Sequence, residues 1–115
     1  MAHQDMAIAQ FYVQKIMSAK SRGVPFDLSF TSLKNMAKAN KCYFTGLPLE
    51  HNTFTIDRID NKKGYVKGNV VACHKAFNQI KSLMENPHNE LDIKTVTRGF
   101  IKTKKRMGEG KWNLY

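Results

Sequence analysis

Apolar side chains at Ile8, Phe11, Tyr12, Ile16 and Ala19 recur three or four positions apart. That spacing predicts an amphipathic helix over residues 4–21, stopped by Gly23 and Pro25. Pro25-Phe26-Asp27-Leu28 reads as an extended link, after which Ser29 or Thr31 can cap a short second helix carrying Leu33, Met36 and Ala37 and ended by Asn40-Lys41. The stretch 41–44 reads as a short strand or knuckle, and Thr45-Gly46-Leu47-Pro48-Leu49 as a turn.

The periodicity then changes. Residues 53–59 are rich in β-branched side chains and predict a strand, and residues 69–73 predict a second. Between them, residues 60–68 read as a loop with Asn61, Gly64 and Gly68 as turn formers, longer than a tight hairpin turn. From about residue 74 to 84 helical spacing returns, with Phe77, Ile80 and Met84 on one face and Asn78, Lys81 and Glu85 rotated away. Asn86-Pro87 breaks that helix, and Asn89 can cap another carrying Leu91, Ile93, Val96, Phe100 and Ile101, with its basic residues in the last turns. Residues 108–115 read as a docked or frayed tail. The pattern gives an α+β protein with an antiparallel β-β-α core and helices on either side: a helical lead-in over 1–40, the core over 41–85, and a basic helix with its tail over 86–115, all in one domain.

Length agrees, since 115 residues suit one small core. No apolar run approaches the roughly 20 residues needed to cross a bilayer, and the N-terminal stretch lacks the charged and apolar regions of a secretory signal. A soluble, cytoplasmic protein with no membrane partner is the expectation. Nineteen Lys and Arg stand against nine Asp and Glu, a net charge of +10 distributed along the chain rather than confined to a tail. Phosphate-rich partners explain such an excess, because neutralising phosphates releases condensed counterions. A solvated basic surface or a ribosome-associated protein is the plainer alternative. Tyr12, Tyr43, Tyr65 and Trp112 lie among the cations, which suits nucleic acid and an ordinary core alike. Cys42 and Cys73, neither in a CxxC pair, are expected to be reduced.

The candidate chemistry lies in 54–81. Asp57 late in the first strand and Asn78 early in the helix can present two hard oxygen ligands to one divalent metal beside several cations. Such an ion, with waters and substrate phosphate completing its shell, is what phosphodiester hydrolysis requires, and Mg²⁺ or Mn²⁺ suits the oxygen-rich donors.

These residues resemble a known family. Asp57-Arg58-Ile59-Asp60, Gly64-Tyr65 and Asn69-Val70 follow the D-R-I-D-x-x-x-G-Y-x-x-x-N-V core of the HNH, or ββα-metal, endonucleases in their phage-type branch. The core match runs over 56–81, Cys42 to Leu49 is similar to that family's C-x-x-C/T-G-x-P-L knuckle, and Arg22-Gly23-Val24-Pro25-Phe26-Asp27-Leu28 is similar to the lead-in of phage members. The resemblance implies a metal-dependent DNA endonuclease or nickase of a bacterial or phage-infected cell. It makes Asp57 and Asn78 the metal ligands, Asn69 the brace of the loop, and Lys81 a phosphate contact. Lys62, Lys63, Lys67 and Lys75 are further DNA-contact candidates, as are Lys102, Lys104, Lys105 and Arg106, whose plainer reading is a solvated helix face. The resemblance also places DNA against the β-β-α unit at the minor groove or backbone; a dimer is compatible with so short a chain.

Two departures stand out. Where many members hold a structural zinc with two Cys pairs, this chain has Cys42, Thr45, His74 and Phe77, which argues against zinc and for apolar packing of Phe77 and Cys42. Where most members carry a basic His after the metal-binding Asp, this chain has Arg58. A guanidinium keeps its proton and cannot deprotonate water, although it can clamp a phosphate. The base is then Asp60, His74, His51 or a metal-activated water, with Asp60 first by proximity; an Asx turn is the competing role for Asp60. Loss of the base also admits a catalytically inactive HNH-fold DNA-binding protein. A third reading, an RNA-binding protein, lacks an RNP-type aromatic run or a GXXG loop.

Overall fold

The computed structural model describes residues 2–108, with side chains from Asp5 onward. Most of the predicted C-terminal tail, Trp112 included, lies outside the described residues. The chain is an α+β protein, with four helices and two small two-stranded sheets among the described residues: α1 (Ala2–Ser21), β1 (Phe26–Asp27), α2 (Phe30–Met36), β2 (Phe54–Arg58), β3 (Tyr65–Val66), β4 (Val70–His74), α3 (Lys75–Glu85) and α4 (Ile93–Met107). It divides into two compact units with the boundary inside α3, between Gln79 and Ile80.

In the first unit, α1 buries the stripe that its spacing predicts. Ala19 is fully buried and joins Leu28, Leu33, Ile56 and Tyr65 in the core, with Ile8, Phe11, Tyr12, Phe26 and Phe54 packed around them. Aromatic contacts connect the elements: Phe11 to Phe54 at 5.6 Å between centroids, Tyr12 to Phe26 at 5.7 Å, and Phe26 to Tyr65 at 5.4 Å. The Tyr12 hydroxyl donates to the Leu28 carbonyl at 2.6 Å, so its polar tip is satisfied where its ring is packed. Ser29 is the cap of α2, its hydroxyl accepting the Ser32 N–H at 3.0 Å.

Strands β2 and β4 pair antiparallel, with Asp57 opposite Val71 and Phe54 opposite His74. The 60–68 segment, expected as loop throughout, contains β3, which pairs parallel with β1 in the lead-in: Phe26 faces Tyr65 and Asp27 faces Val66. A two-residue parallel bridge between segments so far apart leaves no periodicity to read. The expected strand or knuckle at 41–44 is a knuckle, closed by an isolated bridge between Lys41 and Pro48 with Gly46 at φ +74°. Gly64 explains the glycine before Tyr65. Its neighbour's N–H donates to the Pro25 carbonyl at 2.8 Å, and a Cβ at Gly64 would stand 2.5 Å from that oxygen.

The second unit holds the rest of α3 and α4. Lys81 pairs with Glu85 at 2.9 Å, one turn apart. Asn89 does not cap α4. Its amide donates to the Leu83 carbonyl at 2.8 Å and its oxygen accepts the Leu91 N–H at 3.0 Å, which leaves Leu91 ahead of the helix. The cap is Asp92, whose carboxylate accepts the Thr95 N–H at 2.8 Å; that bond holds its pKa below the usual carboxylate value. Both Asn89 and Asp92 are competent caps by type, and the tertiary turn decides between them.

Gly64→Ala is expected to lower unfolding stability by ~1–3 kcal/mol, the cost of overpacking against backbone. Urea denaturation of both proteins measures it.

Candidate functional site

Asp57 sits where a strand, a loop and a helix converge. β2 is buried through Thr55, Ile56 and Asp57, so the carboxylate lies in the interior of the ladder with Oδ2 shielded from solvent. Across 21 residues of chain, Asn78 in the first turn of α3 donates its side-chain N–H to Asp57 Oδ1 at 2.9 Å. Local geometry makes this meeting: β4 runs directly into α3, and the helix turns Asn78 back towards the neighbouring strand.

Asn69 closes the loop between the strands. Its oxygen accepts the Asp60 N–H at 2.9 Å, while its amide donates to the Asp60 carbonyl at 3.1 Å and the Gly64 carbonyl at 2.9 Å. Asp60 Oδ1 accepts the Lys62 N–H at 2.9 Å, an Asx turn that opens the same loop. Arg58 donates to the carbonyls of Asn61 at 3.0 Å and Lys63 at 2.9 Å, and its guanidinium lies 5.2 Å from the Tyr65 ring centre. Because strand side chains alternate, Arg58 and Asp57 point to opposite faces of the pair. The same alternation puts His74 on the face away from Asp57, and its Nδ1 accepts the Ala76 N–H at 3.1 Å, capping α3. His51 is exposed on the turn before β2.

The structure adds two cations that the sequence reading left without a role. Lys15, on the α1 stripe between Phe11 and Ala19, is half-buried with its ammonium 5.4 Å from the Phe11 ring centre. Burial lowers its pKa, Arg22 and Lys75 lower it further, and Tyr65 and Asp57 oppose the shift. Arg22 donates to the Tyr65 hydroxyl at 3.2 Å and to the Ser18 carbonyl at 3.3 Å. A lysine in the core-facing stripe of an amphipathic helix was the available signal. Beside these groups runs an open cleft of about 730 Å³, lined in part by Phe11, Phe54, Lys34, Lys38, His51 and Lys75.

At the knuckle, Cys42 and Cys73 are buried with their sulfurs 4.0 Å apart, and Phe77 packs on Phe44 at 5.4 Å. Tyr43 N–H donates to the Ala72 carbonyl at 3.0 Å and ties the knuckle to β4. Burial alone would raise the Cys42 pKa, but hydrogen bonds from Thr45 and from the backbone of His74, Thr45 and Phe44 outweigh it and bring the thiol down to about 7. Thr45 is exposed.

Of the expected phosphate contacts, Lys62, Lys63, Lys67 and Lys75 are exposed in the first unit. In the second, Lys102, Lys105 and Arg106 are exposed on α4, Lys104 is half-buried, and Lys81 is engaged with Glu85. Among the described residues no three His, Cys, Asp or Glu side chains gather as a metal cluster. Asp57 and Asn78 therefore supply one carboxylate and one amide. That pair fits a hard cation that keeps several waters, provided a half-turn of the Asn78 amide presents oxygen in place of nitrogen.

No protein-family model matches the chain, and no solved structure matches it. The chain is similar to an "Uncharacterized 29.0 kDa protein in dda-modA intergenic region" of Enterobacteria phage T4, 32% identical over 105 residues. The match covers 83% of this chain and 42% of that protein, so the chain spans less than half the relative's length.

Two measurements test this geometry. Asn69→Ala removes three hydrogen bonds from a buried clasp and is expected to cost ~2–4 kcal/mol in urea unfolding. For Cys42 the folded thiol titrates below its unfolded value of 9.0. The stabilisation is thus complete above about pH 9 and lost as pH falls through about 7. Under reducing conditions, the stability difference between wild type and Cys42→Ala is expected to widen by ~1–2 kcal/mol from pH 6.5 to 9.

Proposed function

We propose that this protein is a metal-dependent DNA endonuclease or nickase of the HNH type. The observation that carries the reading is the meeting of Asp57 and Asn78 at 2.9 Å across β2 and α3, inside a basic chain. The sequence resemblance assigns ligand roles to those same two residues. Mg²⁺ or Mn²⁺, when bound, would stabilise negative charge developing on the phosphodiester. Asp57 and Asn78 would hold the ion, and burial of Asp57 in the β2–β4 ladder fixes the carboxylate's direction before substrate arrives. Asn69 supports them by holding the loop that joins the two strands.

In this reading Arg58 has a structural task, bracing loop carbonyls and stacking on Tyr65, and the proton of the attacking water goes elsewhere. Asp60 is the first candidate acceptor, its Oδ1 accepting the Lys62 N–H and its Oδ2 left to take the proton. His74 accepts the Ala76 N–H at Nδ1, so its Nε2 carries the ring proton and it could act as base only by releasing that bond. A DNA-binding protein without cleavage is the second reading. It is favoured by the commitment of Arg58 to the loop, which leaves the usual place of the base without one.

The deciding experiment is incubation with supercoiled plasmid in Mg²⁺ or Mn²⁺. Wild type is expected to yield nicked or linear DNA, with Asp57→Ala and Asn78→Ala at least ~100-fold slower. Intact plasmid with wild type, accompanied by salt-sensitive binding, selects the second reading. If Asp60→Asn abolishes cleavage while His74→Ala does not, Asp60 is the base.

A further inference from the structure

We propose that Cys42 and Cys73 are a redox-active pair that closes to an intramolecular disulfide within the native fold, tying the knuckle to β4. Neither residue belongs to the candidate metal site, and the bond would form whether or not the chain cleaves DNA.

The two cysteines stand 31 positions apart, and the fold brings their sulfurs to 4.0 Å. A disulfide needs about 2.05 Å, so closure asks each sulfur to move by roughly 1 Å, a modest rotation at each χ1. The backbone already holds the two segments side by side: Tyr43, next to Cys42, donates its N–H to the carbonyl of Ala72, next to Cys73, at 3.0 Å. The Cys42 N–H donates to the Leu47 carbonyl at 2.8 Å and the Gly46 N–H to the Cys42 carbonyl at 2.9 Å, which fixes the knuckle around its cysteine. Cys73 is fixed by the β2–β4 ladder, opposite Thr55. The chain has two cysteines, so no third thiol competes within it.

The pair divides into an attacking and a resolving thiol. Cys42 adjoins the exposed Tyr43 on the knuckle, whereas Cys73 is fully buried in β4. Burial raises the Cys42 pKa, but donors from Thr45 and from the backbone of His74, Thr45 and Phe44 outweigh it and bring the thiol to about 7. A large share of Cys42 is then thiolate at neutral pH, unlike a buried cysteine in apolar surroundings, which stays protonated and inert. With a hydroperoxide as oxidant, the Cys42 thiolate attacks one peroxide oxygen and the O–O bond breaks. Cys42 becomes a sulfenic acid, and the departing hydroxide takes up the proton that the thiol had released. The Cys73 sulfur then attacks the Cys42 sulfur, the S–S bond forms, the S–O bond breaks, and the second hydroxide leaves with the Cys73 proton as water. Two thiols have lost two electrons, and one hydrogen peroxide has become two waters. A dithiol reductant reverses the bond by exchange.

The test treats the reduced full chain with hydrogen peroxide, then unfolds it, alkylates it with N-ethylmaleimide and reads intact and peptide masses. Wild type is expected to lose two hydrogens, to resist alkylation at both cysteines, to run as a monomer on a non-reducing gel and to yield a Cys42–Cys73 linked peptide pair, all reversed by dithiothreitol. Cross-linking across 31 positions restricts the unfolded chain, so the oxidised protein is expected to melt several degrees above the reduced one. Cys73→Ser is expected to stop at the Cys42 sulfenic acid, captured as its dimedone adduct. The peptide map is made on wild type and does not depend on that variant folding. Sulfinic or sulfonic acid on Cys42 with Cys73 still alkylated overturns the pair. So do disulfides formed only between copies, or two thiols left intact by peroxide that oxidises glutathione under the same conditions. A lower melting temperature on oxidation overturns closure within the native fold.

Discussion

The clasp made by Asn69 is the constraint on which the rest of the first unit depends. One side chain, through three hydrogen bonds, fixes the backbone of Asp60 and Gly64 relative to the start of β4. With the loop closed in that shape, β2 and β4 pair so that Asp57 faces Val71, and Tyr65 follows Gly64 onto the lead-in strand. Both consequences are needed. The first puts the carboxylate in reach of α3, and the second carries the Tyr65 ring into the core beside Phe26. A buried amide is suited to the task because it offers donors and an acceptor on one planar group, and all three of its bonds go to loop backbone.

Asp57 and Lys15 run against ordinary burial rules. Asp57 occupies the interior of a ladder, and Lys15 occupies the apolar stripe of α1. Each is a local cost in a small domain whose margin of stability is narrow. Such conflicts between local rules and the fold are expected where a site has been built. By contrast, Arg58, which stands next to Asp57 in sequence, is turned by strand alternation to the other face and satisfies loop carbonyls there.

Much of the architecture was legible because its signals are short-range. The 3.6-residue spacing of Ile8, Phe11, Tyr12 and Ala19 predicts α1, the β-branched run predicts β2, and Ser29 or Thr31 predicts the start of α2, which the structure places at Ser29. Where two local signals competed, sequence was less decisive. Asn89 and Asp92 are both good caps, and Asn89 was diverted because its amide reaches the Leu83 carbonyl in the last turn of α3. The β1–β3 bridge was not legible at all, since Phe26 and Tyr65 are brought together by packing against Ala19 and Ile56 rather than by any pattern of their own.

Sequence by itself determined the strand, loop, strand and helix order of 54–85, the glycine before Tyr65, and the presence of an amide at position 69 with the residue types of a loop brace. These follow from backbone conformations and side-chain chemistry that act over a few residues. Only the tertiary structure decided that Asn78 meets Asp57, that Arg58 faces the loop, and that Arg22 reaches the Tyr65 hydroxyl. Those meetings depend on how a helix stripe and a loop share one core. Arg22 and Tyr65 stand 43 positions apart, and the chain between them carries no periodic trace of that contact.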